Sequence, residues 1–243
     1  MSVPGGTFMA VMSERQLGAD GGEQHSIYQD ISERLAVGEF DPGTRMKADD
    51  LRHDYGVSAA TIREILFRLS YGGYVVFEEQ RGFRVPPPSL KKLLEIRHLR
   101  TLVETEGARL SIRNGGMEWE ARLNAAHHKL VHVELKMRDN PDAKTRENIA
   151  MWTRCDWEFH ETLVSACESD LLMETLHSLF FKYRQYLVAL VTDYGFRIGT
   201  VGEHKQILDA ALARDVAACE TAISEHYAFI DEFEQAPDGG LAR

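Results

Sequence analysis

The chain has 243 residues, 44% of them hydrophobic and 27% charged, an ordinary globular composition that excludes wholesale disorder. Its three cysteines, Cys155, Cys167 and Cys219, form no CxxC pair, which excludes a disulfide scaffold and a thiolate zinc finger, and no apolar run approaches the ~18 residues of a membrane span. The net charge of −10 argues against a protein that coats nucleic acid; residues 23–90 hold eight basic and eleven acidic side chains, so any DNA contact must come from a small local patch.

Residues 1–22 read as a flexible arm, with five glycines and no basic residue ahead of Phe8 that would make a secretory signal. Ile27, Ile31 and Leu35 then mark one helical stripe, stopped by Gly38, and Asp41-Pro42-Gly43 is a turn. A short second helix turns Ala48, Leu51 and Tyr55 inward and closes at Gly56, where a left-handed residue fits. Ser58 caps a third helix with Ile62, Ile65, Leu66 and Leu69 on its buried face and Thr61, Arg63, Glu64 and Arg68 opposite. Gly72-Gly73 ends it, and strands over 74–77 and 83–85 flank a turn at Gln80-Arg81-Gly82.

Helix, helix, glycine turn, helix and hairpin is the layout of a winged helix-turn-helix, whose third helix enters a major groove with its N-terminal end at the bases. Ser58 and Thr61 sit at that end and suit phosphate oxygens. Arg63 and Arg68 suit phosphates or base edges, and Arg81 with Gly82 suits a minor groove. Pattern alone leaves open a small helical core with solvated arginines.

Residues 27–85 resemble the DNA-binding domain of GntR-superfamily bacterial repressors. The resemblance rests on Gly38, Pro42, Gly43 and Met46, on the run from Gly56 to Glu64, and on Gly82 in the wing. It implies DNA contacts at Ser58, Thr61, Arg63 and Gly82. Ala59 replaces the basic residue that usually follows the serine, and Asp49-Asp50 stands where the second helix often carries Glu or Arg. Both changes remove donors.

Pro86-Pro87-Pro88 cannot donate backbone hydrogen bonds and forms a stiff linker, giving a DNA-binding domain over 23–85 and a helical domain over 89–235, with a tail over 236–243. In the second domain Leu90, Leu93, Leu94, Ile96, Leu99, Leu102 and Val103 open a long amphipathic helix ending near Asn114. Further helices are predicted over 119–138, 144–167, 171–192, 202–213 and 215–233, the second closed by Asp139-Asn140-Pro141. Short loops imply an antiparallel bundle, so the fold class is mainly α.

Asp156 and His160 lie four apart and share a helix face; His204 and His226 lie on the two last helices. If they converge, one acid and three imidazoles make a metal site with open positions, although a lone core histidine is more often hydrogen-bonded. His128 and His132 are also four apart but have polar neighbours and read as solvated; His25, His53, His98, His127 and His177 have no evident partners, and Cys155 reads as packing.

IRHLRTLVETEGARLS, DWEFHETLVSAC and EHKQILDAALARDVAACETAISEHY resemble the FadR-type effector-binding domain, FCD. This implies that Asp156, His160, His204 and His226 bind a divalent metal, zinc first, with nickel and manganese as alternatives. It also implies that Arg100, four before Glu104, holds an effector carboxylate, for which its forked guanidinium is suited. Arg97 and Arg184 are weaker candidates for that cavity. Glu168-Ser169-Asp170 stands where the family usually has Gly-Asn-Pro.

The function expected is therefore that of a cytoplasmic transcription regulator, a repressor, bound as a homodimer to a pseudo-palindromic double-stranded operator and controlled by a small carboxylate beside a metal. No membrane partner and no catalysis are expected. The alternatives are a metal-dependent enzyme acting on small organic acids, which would leave the winged helix without a role, and a regulator with a purely structural metal.

Overall fold

The computed structural model describes residue 22 and residues 24–140, 145–190 and 199–231. The predicted arm apart from Gly22, Pro141, Lys144, the predicted helix ends at Thr192 and Phe233, and the tail lie outside the described residues. The chain folds as two units: residues up to 35 with 40–86, and residues 36–39 with 87 onward.

The first unit is a winged helix-turn-helix. Helix α1 covers residues 24–36 and buries Ile27, Ile31 and Leu35. Helix α2 (Ala48–Tyr55) ends at Gly56, whose φ of 68° is left-handed, and α3 (Ala59–Tyr71) starts at once after it. Ser58 Oγ accepts from the Thr61 backbone N–H at 3.1 Å, a cap worth about 1 kcal/mol to the helix. Ile62, Ile65, Leu66 and Leu69 are fully buried. The sheet has three strands, not the two expected: β1 (Arg45–Met46), β2 (Val76–Glu78) and β3 (Gly82–Arg84) lie in the order β1-β3-β2, all antiparallel. A two-residue strand after a turn has too few positions to show a period of two, so β1 left no trace in the sequence pattern. Tyr74 and Val75, expected to start the hairpin, are instead buried ahead of it.

The second unit is an antiparallel helical bundle: α4 (Leu90–Asn114), α5 (Met117–Asp139), α6 (Arg146–Val164), α7 (Asp170–Leu190), α8 (Thr200–Leu212) and α9 (Val216–Ala228). Helix α4 packs against α6, α7 and α9; α5 packs against α6 and α8; α8 packs against α9. Trp119, Leu123, Leu130, Phe159, Leu163, Leu187 and Ile223 form the core. The buried face of α4 differs from its apolar pattern. Leu99 and Leu102 are about half exposed, while Arg100 and Glu104 are buried, because the inward stripe runs through Leu93, Ile96, Arg100, Glu104, Gly107 and Ser111. Apolarity marked the wrong residues where the helix lines a polar site. Among the described residues no helix is long and apolar enough to cross a membrane.

Candidate metal centre and nucleic-acid interface

Three helices bring one acid and three imidazoles together. Asp156 and His160 come from α6, His204 from α8 and His226 from α9, and all four are buried. The three histidines offer ring nitrogens that lie within 4.8 Å of one another. Asp156 Oδ1 stands 3.5 Å from His160 Nε2 and 3.3 Å from His204 Nε2. Neither separation completes a hydrogen bond, so both nitrogens are buried without a hydrogen-bond partner among the described residues.

Each ring is held from its other side. His160 Nδ1 meets Glu104 Oε1 at 2.5 Å, His204 Nδ1 meets Glu134 Oε1 at 3.1 Å, and His226 Nδ1 meets Glu203 Oε2 at 2.9 Å. A carboxylate on Nδ1 fixes the tautomer with its proton there and leaves the Nε2 lone pair facing the centre. Glu134 Oε1 also accepts from the Trp152 indole at 3.3 Å, and Glu104 Oε2 accepts from the Tyr227 hydroxyl at 2.8 Å. An unsatisfied set of inward nitrogens beside one carboxylate is costly alone and suits a divalent cation. These residues could hold such an ion.

Without an ion, the buried carboxylates and imidazoles of the centre compensate one another's charge. Burial works to raise the Asp156 carboxyl, but the two imidazoles beside it hold it well below the usual range. Burial favours neutral His204, yet Asp156 and Glu134 on its two sides lift it to about 9. Burial lowers His226 to about 4, with His204 and His160 adding to the effect against Glu203. Burial opposes ionisation of Glu104, but His160, Arg100 and Tyr227 bring it down to about 2.

A cavity opens beside this centre, its lining including Asp156, His226, Arg100 and Arg184. Arg100 is 1% exposed, which rules out a solvated surface pair with Glu104; the pair is buried, with Arg100 Nε 3.4 Å from Glu104 Oε2. The guanidinium lies over the rings of Phe180, Tyr183 and Tyr227, and its Nε and Nη2 make no hydrogen bond among the described residues. Burial opposes its charge, but Tyr227, Glu104 and Asp156 keep it protonated. Arg184 lines the same cavity, whereas Arg97 is turned away into an ion pair with Asp231.

The remaining histidines separate cleanly. His128 and His132 are exposed. His127 is half-buried against the Phe159 ring, and His177 meets Trp157 edge to face and lies tilted against Phe181. Cys155 packs against the bundle core. The sequence reading missed Glu134 and Glu203. Glu203 had a signal in its place next to His204, but it serves His226 on the neighbouring helix.

On the winged helix-turn-helix, Ser58 and Thr61 mark the start of α3, their hydroxyls 2.9 Å apart. Arg63 is exposed on the first turns of α3. Arg68 lies nearer the other end, about 7.5 Å further along the axis, with its guanidinium over the Tyr28 ring. Arg81 is exposed at the hairpin tip, 3.6 Å from Glu78, and Gly82 has a φ of 77° that favours glycine. Arg45 also reaches this tip: its guanidinium passes within 3.7 Å of where a Gly82 side chain would begin. Strand β1 puts it there, so the sequence reading missed it too.

Two family models match the chain, "Bacterial regulatory proteins, gntR family" over residues 23–85 and "FCD domain" over residues 95–229. The HTH-type transcriptional regulator BphR of Paraburkholderia xenovorans is 30% identical over 83% of this chain and 80% of its own length. The HTH-type transcriptional repressor GlaR of Escherichia coli is 28% identical over 82% of this chain and 90% of its own. In fold, the chain is similar to E. coli McbR/YncC, with a TM-score of 0.74 at 20% identity over 86% of this chain and 97% of that one. A GntR-type regulator from Rhodococcus sp. RHA1 gives 0.67 at 20% identity over 87% and 98%. With the matched regions covering both units of the fold, the chain belongs to the GntR family of bacterial transcription regulators, carries an FCD domain after its winged helix-turn-helix, and is a regulator rather than an enzyme.

Proposed function

We propose that this protein is a homodimeric cytoplasmic repressor whose operator occupancy is set by a small carboxylate bound beside a divalent metal. Asp156, His160, His204 and His226 hold the metal, and Arg100 holds the carboxylate. Ser58, Thr61, Arg63 and Gly82 meet the operator, with Arg68, Arg81 and Arg45 on its phosphates or grooves. Zinc is the first choice for the ion, with nickel and manganese as alternatives.

The observation that carries this reading is the pair of buried, unsatisfied Nε2 atoms on His160 and His204, beside a cavity into which Arg100 brings unsatisfied donors. Bound metal supplies a Lewis-acidic position for one ligand oxygen. The chain's own residues do the rest: the three glutamates orient the imidazoles, and Arg100 pairs with the carboxylate through its fork. A ligand that contacts α4, α6 and α9 together favours one arrangement of those helices, and a difference in affinity between arrangements is what shifts DNA occupancy. The repressor role draws support from GlaR, which is named a transcriptional repressor. A dimer reads two half-sites one helical turn apart.

Operator binding by fluorescence anisotropy tests the reading, with metal content measured on the same samples. Wild type should bind its operator and respond to a carboxylate. Arg63→Ala should bind weakly, and Arg100→Ala should bind normally without responding. His160→Ala should lose metal, and His128→Ala should not. Wild-type metal content in His160→Ala would refute the metal site, and undiminished operator affinity in Arg63→Ala would refute the DNA assignment.

A further inference from the structure

A winged helix-turn-helix in an acidic chain has few cations to spare for a duplex. Residues 23–90 hold eight basic side chains against eleven acidic ones. Arg34, Lys47, Arg52, Arg81 and Arg84 each face a carboxylate at 3.0–3.8 Å, and Arg68 lies over the Tyr28 ring. Arg45 and Arg63 have neither kind of partner among the described residues, and both are exposed. Arg63 is on α3, where a contact with DNA was expected. Arg45 is on β1, in a strand two residues long.

The register of the sheet decides where Arg45 goes. It stands directly opposite Arg84, while Met46, Phe83 and Phe77 share the other face, on which Phe67 of α3 meets Phe77 at 5.0 Å and Phe83 at 4.8 Å between ring centroids. The outward face therefore sets two like charges side by side, a pairing that costs stability in an antiparallel ladder. Arg84 is relieved of part of that cost: Nη1 donates to the Gly43 carbonyl at 2.9 Å, and Nε stands 3.6 Å from Glu78. Arg45 has no such relief. Its Nε and Nη2 instead lie 3.7 Å from where a Gly82 side chain would begin, which brings a second guanidinium to the hairpin tip that carries Arg81. An anionic partner at the tip would offset the repulsion.

We propose that Arg45 reads sequence: its guanidinium enters the minor groove next to the major groove that receives α3, and it selects A·T pairs there. This rests on the operator-binding reading given above and adds to it a specificity determinant outside the helix. Phe67 braces the hairpin against α3, so a duplex seated on the start of α3 meets the tip with its neighbouring groove. Gly82 lets the hairpin backbone come close to the groove walls. Narrow A·T-rich minor grooves concentrate negative potential and attract arginine, whereas a G·C pair places the guanine N2 amino group on the groove floor, a donor facing a donor.

Selection from a random-sequence duplex pool by the full-length wild-type protein supplies the probe, and fluorescence anisotropy on the selected duplex reads affinity. At one or more of the enriched A·T positions, exchange for G·C should weaken wild type about tenfold. Exchange for inosine·cytosine, which keeps the minor groove of A·T and the major groove of G·C, should restore affinity to within about threefold. Arg45→Ala should bind the A·T duplex about tenfold more weakly than wild type and bind all three duplexes to within about threefold of one another. Its Tm should be no lower than that of wild type, because removing one of two opposed arginines relieves the ladder. If Arg45→Ala weakens all three duplexes equally, keeps the A·T preference and lowers the salt slope by about one, Arg45 is a phosphate contact and the assignment is overturned. Undiminished binding by Arg45→Ala, a selected duplex without A·T preference, or a Tm that falls together with the affinity would overturn it as well. Each of these outcomes leaves operator binding standing. Enrichment of no duplex by wild type would overturn both.

Discussion

Glu104 joins His160 to the cavity lined by Arg100: Oε1 takes the His160 Nδ1 at 2.5 Å, and Oε2 takes the Tyr227 hydroxyl at 2.8 Å and stands 3.4 Å from Arg100 Nε. One buried carboxylate thus touches a proposed metal ligand, a proposed effector contact and the residue next to His226. Its charge is favoured by those same neighbours, which bring it down to about 2 against the penalty of burial. Anything that moves Arg100 therefore acts on the orientation of His160.

Glu104→Gln is expected to lower metal affinity by about 10–100-fold, because an amide no longer favours the Nδ1–H tautomer as strongly. Competition with a chromophoric chelator reads this directly. Equal affinity in wild type and variant would mean that His160 is held by packing alone.

Much of this was legible in the sequence where local chemistry is decisive. Gly56 and Ser58 announce the turn and the recognition helix, and the i, i+4 pair Asp156 and His160 announces a shared face. What was hidden depends on partners far apart in the chain. Glu134 meets His204 across 70 residues, and no spacing rule reaches that far. Strand β1 exists only because β3 pairs with it, Arg45 opposite Arg84. Leu99 and Leu102 were read as core because apolar residues usually are, yet here a buried ion pair takes their place on α4.

In the loop between α6 and α7, Glu168 has a left-handed φ of 58°, at the position where the family resemblance places a glycine. Ser169 Oγ accepts from the Leu172 backbone N–H at 3.3 Å, so the start of α7 is capped all the same. A non-glycine residue in this region costs about 1–2 kcal/mol, offset in part by the greater freedom glycine has when unfolded. Because Glu168 is exposed, Glu168→Gly should stabilise the protein by roughly 0.5–1 kcal/mol, a rise of about 1–4 °C in Tm. A lower Tm would show that the side chain contributes more than its backbone costs.

His127 makes the second unit sensitive to acid. Burial pushes its pKa down to about 4, with the charge of His204 adding to the effect, and its Nε2 has no hydrogen-bond partner among the described residues. The unfolded chain takes up the proton near 6.5, and the folded chain refuses it until about 4. The neutral ring therefore contributes stability that is fully present above 6.5 and is lost as pH falls towards 4. His127→Phe should flatten the fall of Tm over that window, measured with chelator present so that metal release does not contribute. An unchanged slope would place the acid sensitivity elsewhere.

Gly107 sets how closely α4 approaches the helices around it. A Cβ there would lie 2.8 Å from Leu172 Cδ2 and 2.9 Å from both Cβ and Cγ1 of Val164. The leucine tip can turn aside, but Val164 Cβ is fixed to its backbone, so α4 itself must move away. Gly107→Ala gains about 1 kcal/mol of helix propensity and loses about 1–3 kcal/mol to overpacking. The net expectation is a loss of stability. The displacement also acts on Glu104 and Arg100, about one and two turns earlier on the same helix, so metal affinity should fall with Tm. Gly202 in α8 provides the contrast, since a Cβ there meets nothing within 4 Å. Gly202→Ala should gain the helix propensity alone and raise Tm by about 1–4 °C. Melting curves of the two variants decide between the effects. If Gly107→Ala melts higher, as Gly202→Ala should, the contact between α4 and Val164 is loose enough to admit a methyl group and the packing argument fails.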